Sequence, residues 1–168
     1  HWPTPVLDRL AAEGTVFEQA TTTSTTCVPA RVGLLTGLLH HRVRRVPGKL
    51  ALAPGEWTVA RALRAAGYQT ALVGKMHLSP VRADHGFDTM RMCEDLRVAG
   101  GYTRDDVDDY HEWLVAEGID DWREAFGGTD LDGPLPLPAG VHPTGWIERE
   151  ARQVLEQRDP SRPLFLVV

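Results

Sequence analysis

Residues 56–73 constrain the fold more than any other stretch. Residues 56–67 carry Val59, Leu63 and Ala66 at helical spacing, set Arg61 and Arg64 apart from them, and end on Gly67, a helix stop. Tyr68-Gln-Thr-Ala-Leu-Val73 follows without a break and reads as a strand. The pattern recurs at the far end, where an amphipathic helix over residues 146–157 precedes Leu-Phe-Leu-Val-Val over residues 164–168. That second run is apolar throughout, as in a parallel strand covered on both faces. Helix leading to strand, twice, predicts an α/β fold with a mostly parallel sheet flanked by helices. Ligands of such sheets bind beyond the carboxyl ends of the strands. Gly74-Lys-Met-His77 comes immediately after residue 73, so Lys75 and His77 fall where chemistry collects. Taken singly, the pair also reads as a surface amine and a locally satisfied loop histidine.

The second informative stretch is residues 25–37. A run of Thr and Ser ends at Cys27, Pro29 suits the first turn of a helix, Val32, Leu34 and Leu35 continue it, and Gly37 closes it. Cys27 is thereby placed at a helix N-terminus, where unbonded N–H groups and the macrodipole favour negative charge. Arg31, one turn on, adds a planar cation suited to oxyanions. Two readings stand side by side: a nucleophile beside an anion cradle, and a lone cysteine used as a small hydrophobe.

Cys-x-Pro-x-Arg over residues 27–31, followed by Leu34, Thr36 and Gly37, resembles the signature of the type I sulfatases of the alkaline phosphatase superfamily. Thr25 and Val28 stand where that family has small residues. Residues 67–77, Gly-Tyr-Gln-Thr-Ala-Leu-Val-Gly-Lys-Met-His, resemble its second signature. Similar phrases occur at residues 4–14, 85–88 and 142–147. The chain opens on His1 and breaks off in an apolar run, and is read as a partial N-terminal catalytic domain over residues 1–168. The first metal-binding strand and the C-terminal part are expected to be absent, and the fragment alone to be inactive.

The resemblance implies an alkaline-phosphatase-like sandwich and a definite chemistry. Cys27 would be oxidised by a formylglycine-generating enzyme to Cα-formylglycine, whose hydrate attacks the sulfur of a small-molecule or glycan sulfate ester. As formylglycine, residue 27 would also ligate a divalent metal, Ca²⁺ first, with Mg²⁺ or Mn²⁺ as alternatives, the other ligands lying outside this chain. Arg31 would hold the nucleophile, Lys75 would bind a sulfate oxygen, and His77 would touch the substrate and help deprotonate the hydrate. Two alternatives are a phosphonate monoester or phosphodiester hydrolase of the same superfamily, and a non-catalytic relic with unmodified Cys27.

Composition narrows the partners. A net charge of −5 offers no basic field for nucleic acid. No apolar run approaches the roughly 20 residues of a membrane span. Two cysteines make no disulfide framework, and a Cys27–Cys93 bridge would consume the nucleophile, leaving Cys93 as a structural or free thiol. His40, His41, Arg42, Arg44 and Arg45 form a basic turn, read as a solvated loop, with a substrate-attracting rim as the functional option. Residues 47–54 read as loop.

Elsewhere the expectations are structural. Residues 3–14 read as a helix with an apolar face of Val6, Leu7, Leu10 and Ala11 and a solvated Asp8; Val16, Phe17 and the run to Thr26 read as a short strand. Asp105, Asp106, Asp108, Asp109, Asp120 and Asp121 lack the spacing of a calcium loop and read as a solvated face, with residues 105–114 forming a helix. Residues 127–143, rich in Gly and Pro, read as a long surface excursion.

Overall fold

The computed structural model describes residues 3–42, 52, 55–78, 82–94, 108–119 and 140–168. Arg44, Arg45, Asp105, Asp106, Asp120 and Asp121 lie outside these residues, as do nearly all of the 47–54 loop and most of the 127–143 excursion.

Among the described residues three strands make an all-parallel sheet in the order β2-β1-β3: β1 (Gln69–Gly74), β2 (Thr89–Met92) and β3 (Leu164–Val167). β1 is central, pairing Leu72 with Met90 on one side and with Val167 on the other. It is buried from Thr70 to Gly74 because both faces are covered. β3 is half-buried rather than buried, since among the described residues it has β1 on one side only. β2, absent from the sequence reading, is short, and Thr89 at its start is exposed.

Alternation along the strands divides the core between two layers. Leu72, Met90, Met92, Phe165 and Val167 point to one face and pack with Met76, Leu78 and Phe87. The cover there comes from α2 (Cys27–Thr36), through Val28, Val32 and Leu35, and from Ala60 of α3 (Val59–Ala65). Ala71, Val73, Leu164 and Leu166 point the other way, onto Ile147, Ala151 and Val154 of the long last helix, α5 (Pro143–Gln157). A third cluster joins Tyr110 and Leu114 of α4 (Asp109–Ala116) to Trp146 of α5. Arg91, also on the α5 face, donates to Glu150 at 2.5 Å and to Gln153 at 2.8 Å, tying β2 to that helix. The expected parallel sheet flanked by helices is present.

Several local expectations are corrected. α3 buries Ala60, not Val59 or Ala66, because the turn at residues 85–87 crosses its first turn. Gly86 sits so close that a Cβ built on it would lie 2.4 Å from the Arg61 nitrogen, and its φ is 105°. Only glycine meets both demands. Residues 16–26 form turns and loop, not a strand. There the Thr22 hydroxyl donates to the Ser24 carbonyl and the Ser24 hydroxyl accepts from the Thr26 N–H, local bonds that compete with strand pairing. α1 (Pro5–Glu13) forms as expected, but none of its side chains is buried. Its Asp8 is exposed and bonded to Thr4, as a solvated helix charge should be.

The acidic stretch is corrected as well. Asp108 is wholly buried and caps α4 by accepting the His111 N–H at 2.8 Å, while Asp109 accepts the Met92 N–H at 2.6 Å. Asp108 faces inward and Asp109 is half-buried, and both hold α4 to the end of β2.

Candidate active site

α2 starts at Cys27, with Thr26 as N-cap in extended conformation and no side-chain cap on its first turn. Pro29 falls within that turn and has no N–H of its own to satisfy. Gly37 ends the helix in the left-handed conformation, φ 69°. Val28, Val32 and Leu35 anchor the buried side, leaving Leu34 and Cys27 exposed. Cys27 and Arg31 are spaced i, i+4 and share one helix face. Neither Cys27 nor Cys93 is in a disulfide. Cys93 packs beside Tyr110, Leu114 and Trp146.

Arg31 reaches across to the sheet. Its Nη1 donates to the carbonyl of Lys75 at 2.6 Å. The half-buried guanidinium therefore stands at the carboxyl end of β1, with the rest of its donor fork left for other acceptors. That bond brings Arg31 to the backbone of Lys75 across 44 residues of chain; Cys27 begins the helix that carries Arg31, and His77 lies two residues past Lys75.

The turn bearing Lys75 and His77 has an unusual backbone. Gly74 has φ 103° and His77 has φ 56°. Histidine adopts the left-handed region at a cost, so its surroundings must hold it there. They do so through Glu94, two residues past β2 and all but buried. Its Oε1 accepts the Met76 N–H at 2.7 Å and the His77 N–H at 2.8 Å, and its Oε2 lies 3.0 Å from the His77 nitrogen. Burial pushes the Glu94 carboxyl above its ordinary value, the two N–H bonds pull the other way, and Asp108 adds to the rise. The Glu94 N–H in turn donates to Asp108, whose other oxygen also meets Nδ1 of His111.

The sequence reading missed Glu94, Asp108 and His111. No local signal marks them, because it is the pairing of β2 with β1, Gly74 opposite Met92, that brings the acid two residues past β2 beside the Lys75–His77 turn. His85-Gly-Phe-Asp88 serves packing. The His85 carbonyl accepts the Thr58 hydroxyl at 2.5 Å, and Asp88 accepts the Thr70 N–H at 3.2 Å.

Among the described residues, no group of three or more His, Cys, Asp or Glu could hold a metal ion. None of their helices is long and apolar enough to cross a membrane.

A cysteine at the start of a helix, an arginine one turn on bonded to the backbone of a Lys-x-His turn, and the end of a parallel sheet make up the candidate site. The family model described as Sulfatase matches residues 1–168, and the chain belongs to the sulfatase family. That family in general uses a divalent metal and formylglycine. The chain is 32% identical to an arylsulfatase of Clostridium perfringens, over 97% of this chain and 36% of that protein. It is 30% identical to the multifunctional alkaline phosphatase superfamily protein PehA of Trinickia caryophylli, over 97% of this chain and 34% of that one. The chain thus spans about a third of the length of these relatives. The crystal structure of the phosphonate monoester hydrolase of Agrobacterium radiobacter matches with a TM-score of 0.68 at 20% identity, covering 98% of this chain and 35% of that one. At that identity the likeness speaks for the fold, and it agrees with the expected alkaline-phosphatase-like architecture.

Proposed function

We propose that the full-length protein hydrolyses sulfate monoesters, with residue 27 converted from cysteine to Cα-formylglycine. The observation that carries this is the Arg31–Lys75 bond, which brings the two stretches that resemble sulfatase signatures together at the carboxyl end of β1. An exposed Cys27 at the start of α2 is open to a modifying enzyme, and the family membership supports that modification.

Formylglycine, hydrated by water, would supply a geminal diol: one hydroxyl to attack sulfur as the ester's alcohol leaves, and a second whose deprotonation expels sulfate and restores the aldehyde. The residues of this chain do the rest. Arg31, held by the Lys75 carbonyl through Nη1, has further N–H donors with which to steady the nucleophile. Lys75 contributes a compact positive charge to a sulfate oxygen, and His77 takes the proton from the second hydroxyl. Donors placed in advance need little rearrangement as negative charge develops on the oxygens.

The metal reading is Ca²⁺, with Mg²⁺ or Mn²⁺ as alternatives. The described residues do not assemble a binding site for it. Its further ligands would come from outside them, and no step is derived through the ion. Phosphonate monoester or phosphodiester hydrolysis is the second reading; the likeness to a multifunctional alkaline phosphatase superfamily protein fits it only at the level of the superfamily.

The test is peptide mass spectrometry across residue 27 of the full-length protein from its native host. A peptide about 18 Da lighter than the cysteine form, or its hydrate, supports an activated covalent nucleophile. A thiol throughout sinks the mechanism. Comparing turnover of sulfate and phosphonate esters then chooses between the two readings.

A further inference from the structure

We propose that Glu94 is a positioning residue of this site: its carboxylate, by accepting the backbone N–H groups of Met76 and His77, holds the left-handed turn at His77 and so sets where the imidazole stands. The proposal rests on the reading of His77 as a group that acts on residue 27.

Three observations converge. The bonds are short, 2.7 Å from Met76 and 2.8 Å from His77, and they reach two successive amides, as a cap does. The conformation they hold, φ 56° at a residue with a Cβ, is one the chain would leave without support. The support is itself anchored from behind. The Glu94 N–H donates to Asp108, which is wholly buried and caps α4, and α4 is seated by Tyr110 and Leu114. The parallel register that sets Gly74 opposite Met92 fixes the remaining coordinate, bringing Glu94 alongside Met76. A chain of polar bonds therefore runs from the core of α4 to the backbone of His77.

A purely structural role predicts loss of stability alone; positioning predicts loss of turnover with binding kept. Glu94→Gln, Glu94→Leu and, for reference, Arg91→Gln are made in the full-length protein. Arg91 braces β2 against α5 without touching the Lys75–His77 turn. Backbone hydrogen exchange at Met76 and His77 is followed together with kcat and KM for p-nitrophenyl sulfate. Glu94→Leu is expected to speed exchange at those two amides on the order of a hundredfold. It should lower kcat by roughly tenfold to a hundredfold with KM changed less than about twofold. Glu94→Gln keeps one acceptor oxygen and should fall between it and the wild type. Arg91→Gln should lower Tm and leave kcat intact.

Unchanged exchange and kcat in both Glu94 variants overturns the proposal, and so does an equal loss of kcat in Arg91→Gln. Where Glu94→Leu does not fold, Glu94→Gln decides by the same two readouts. If the wild-type protein hydrolyses neither sulfate nor phosphonate esters, the reading of the reaction falls. Exchange at the His77 amide then decides alone: faster in the Glu94 variants, the carboxylate holds the turn; unchanged, it does not.

Discussion

Arg31 donates from Nη1 to the carbonyl oxygen of Lys75 at 2.6 Å, so the first turns of α2 and the end of β1 are locked into one unit. A bond from a charged donor to a half-buried carbonyl contributes to stability as well as to geometry. Arg31→Ala is expected to cost about 1–2 kcal/mol in urea denaturation of the full-length protein. Arg31→Lys keeps the charge but loses the planar fork. It should restore much of the stability while leaving kcat/KM far below wild type. Full activity in the lysine variant would show that charge alone suffices.

Cys27 tells the opposite story. It is exposed and bridges to nothing, so Cys27→Ala should leave stability within about 0.5 kcal/mol of wild type. Turnover of sulfate esters should vanish. Residual turnover at the wild-type rate would remove residue 27 from the chemistry.

Gly86 makes a sharper stability prediction. A Cβ there meets backbone atoms, the Arg61 nitrogen at 2.4 Å and the Ala60 carbonyl carbon at 2.9 Å, and the φ of 105° disfavours any side chain. Gly86→Ala should cost more than about 2 kcal/mol, since the obstruction cannot rotate away. Denaturant unfolding read against Gly118→Ala checks it. Gly118 also has a positive φ, 77°, but nothing lies within 4 Å of its Cβ position, so that variant isolates the conformational share.

His85 gives a pH dependence with a definite sign. Burial holds its imidazole below the ordinary histidine value, the charge of Arg61 pushes the same way, and Asp84 opposes them weakly. Between the lowered folded value and about 6.5 the unfolded chain binds the extra proton. Stability contributed by neutral His85 is therefore present above that window and is lost as pH falls through it. The slope should approach at most about 1.4 kcal/mol per pH unit. In His85→Gln this part of the slope should disappear from denaturation curves collected across pH 5–7. An identical slope would assign it to other groups.

Elements whose signals are local were legible in the sequence. The 3.6-residue spacing and glycine stops of α2 and α3, the apolar runs of β1 and β3, and the placement of Lys75 and His77 after a strand could all be read from neighbouring residues. So could the family, because two motifs in order need no third dimension. Relations between distant segments came only with folding. Which side of α3 is buried depends on Gly86 crossing it, 25 residues beyond Arg61. Whether Asp108 faces water or core depends on Glu94 offering an N–H to it. The bond from Arg31 to Lys75 depends on α2 packing over Leu72 and Met92. An acidic side chain looks alike in sequence whether solvated or buried; its fate turns on whether partners arrive from elsewhere to replace water, and only folding brings them.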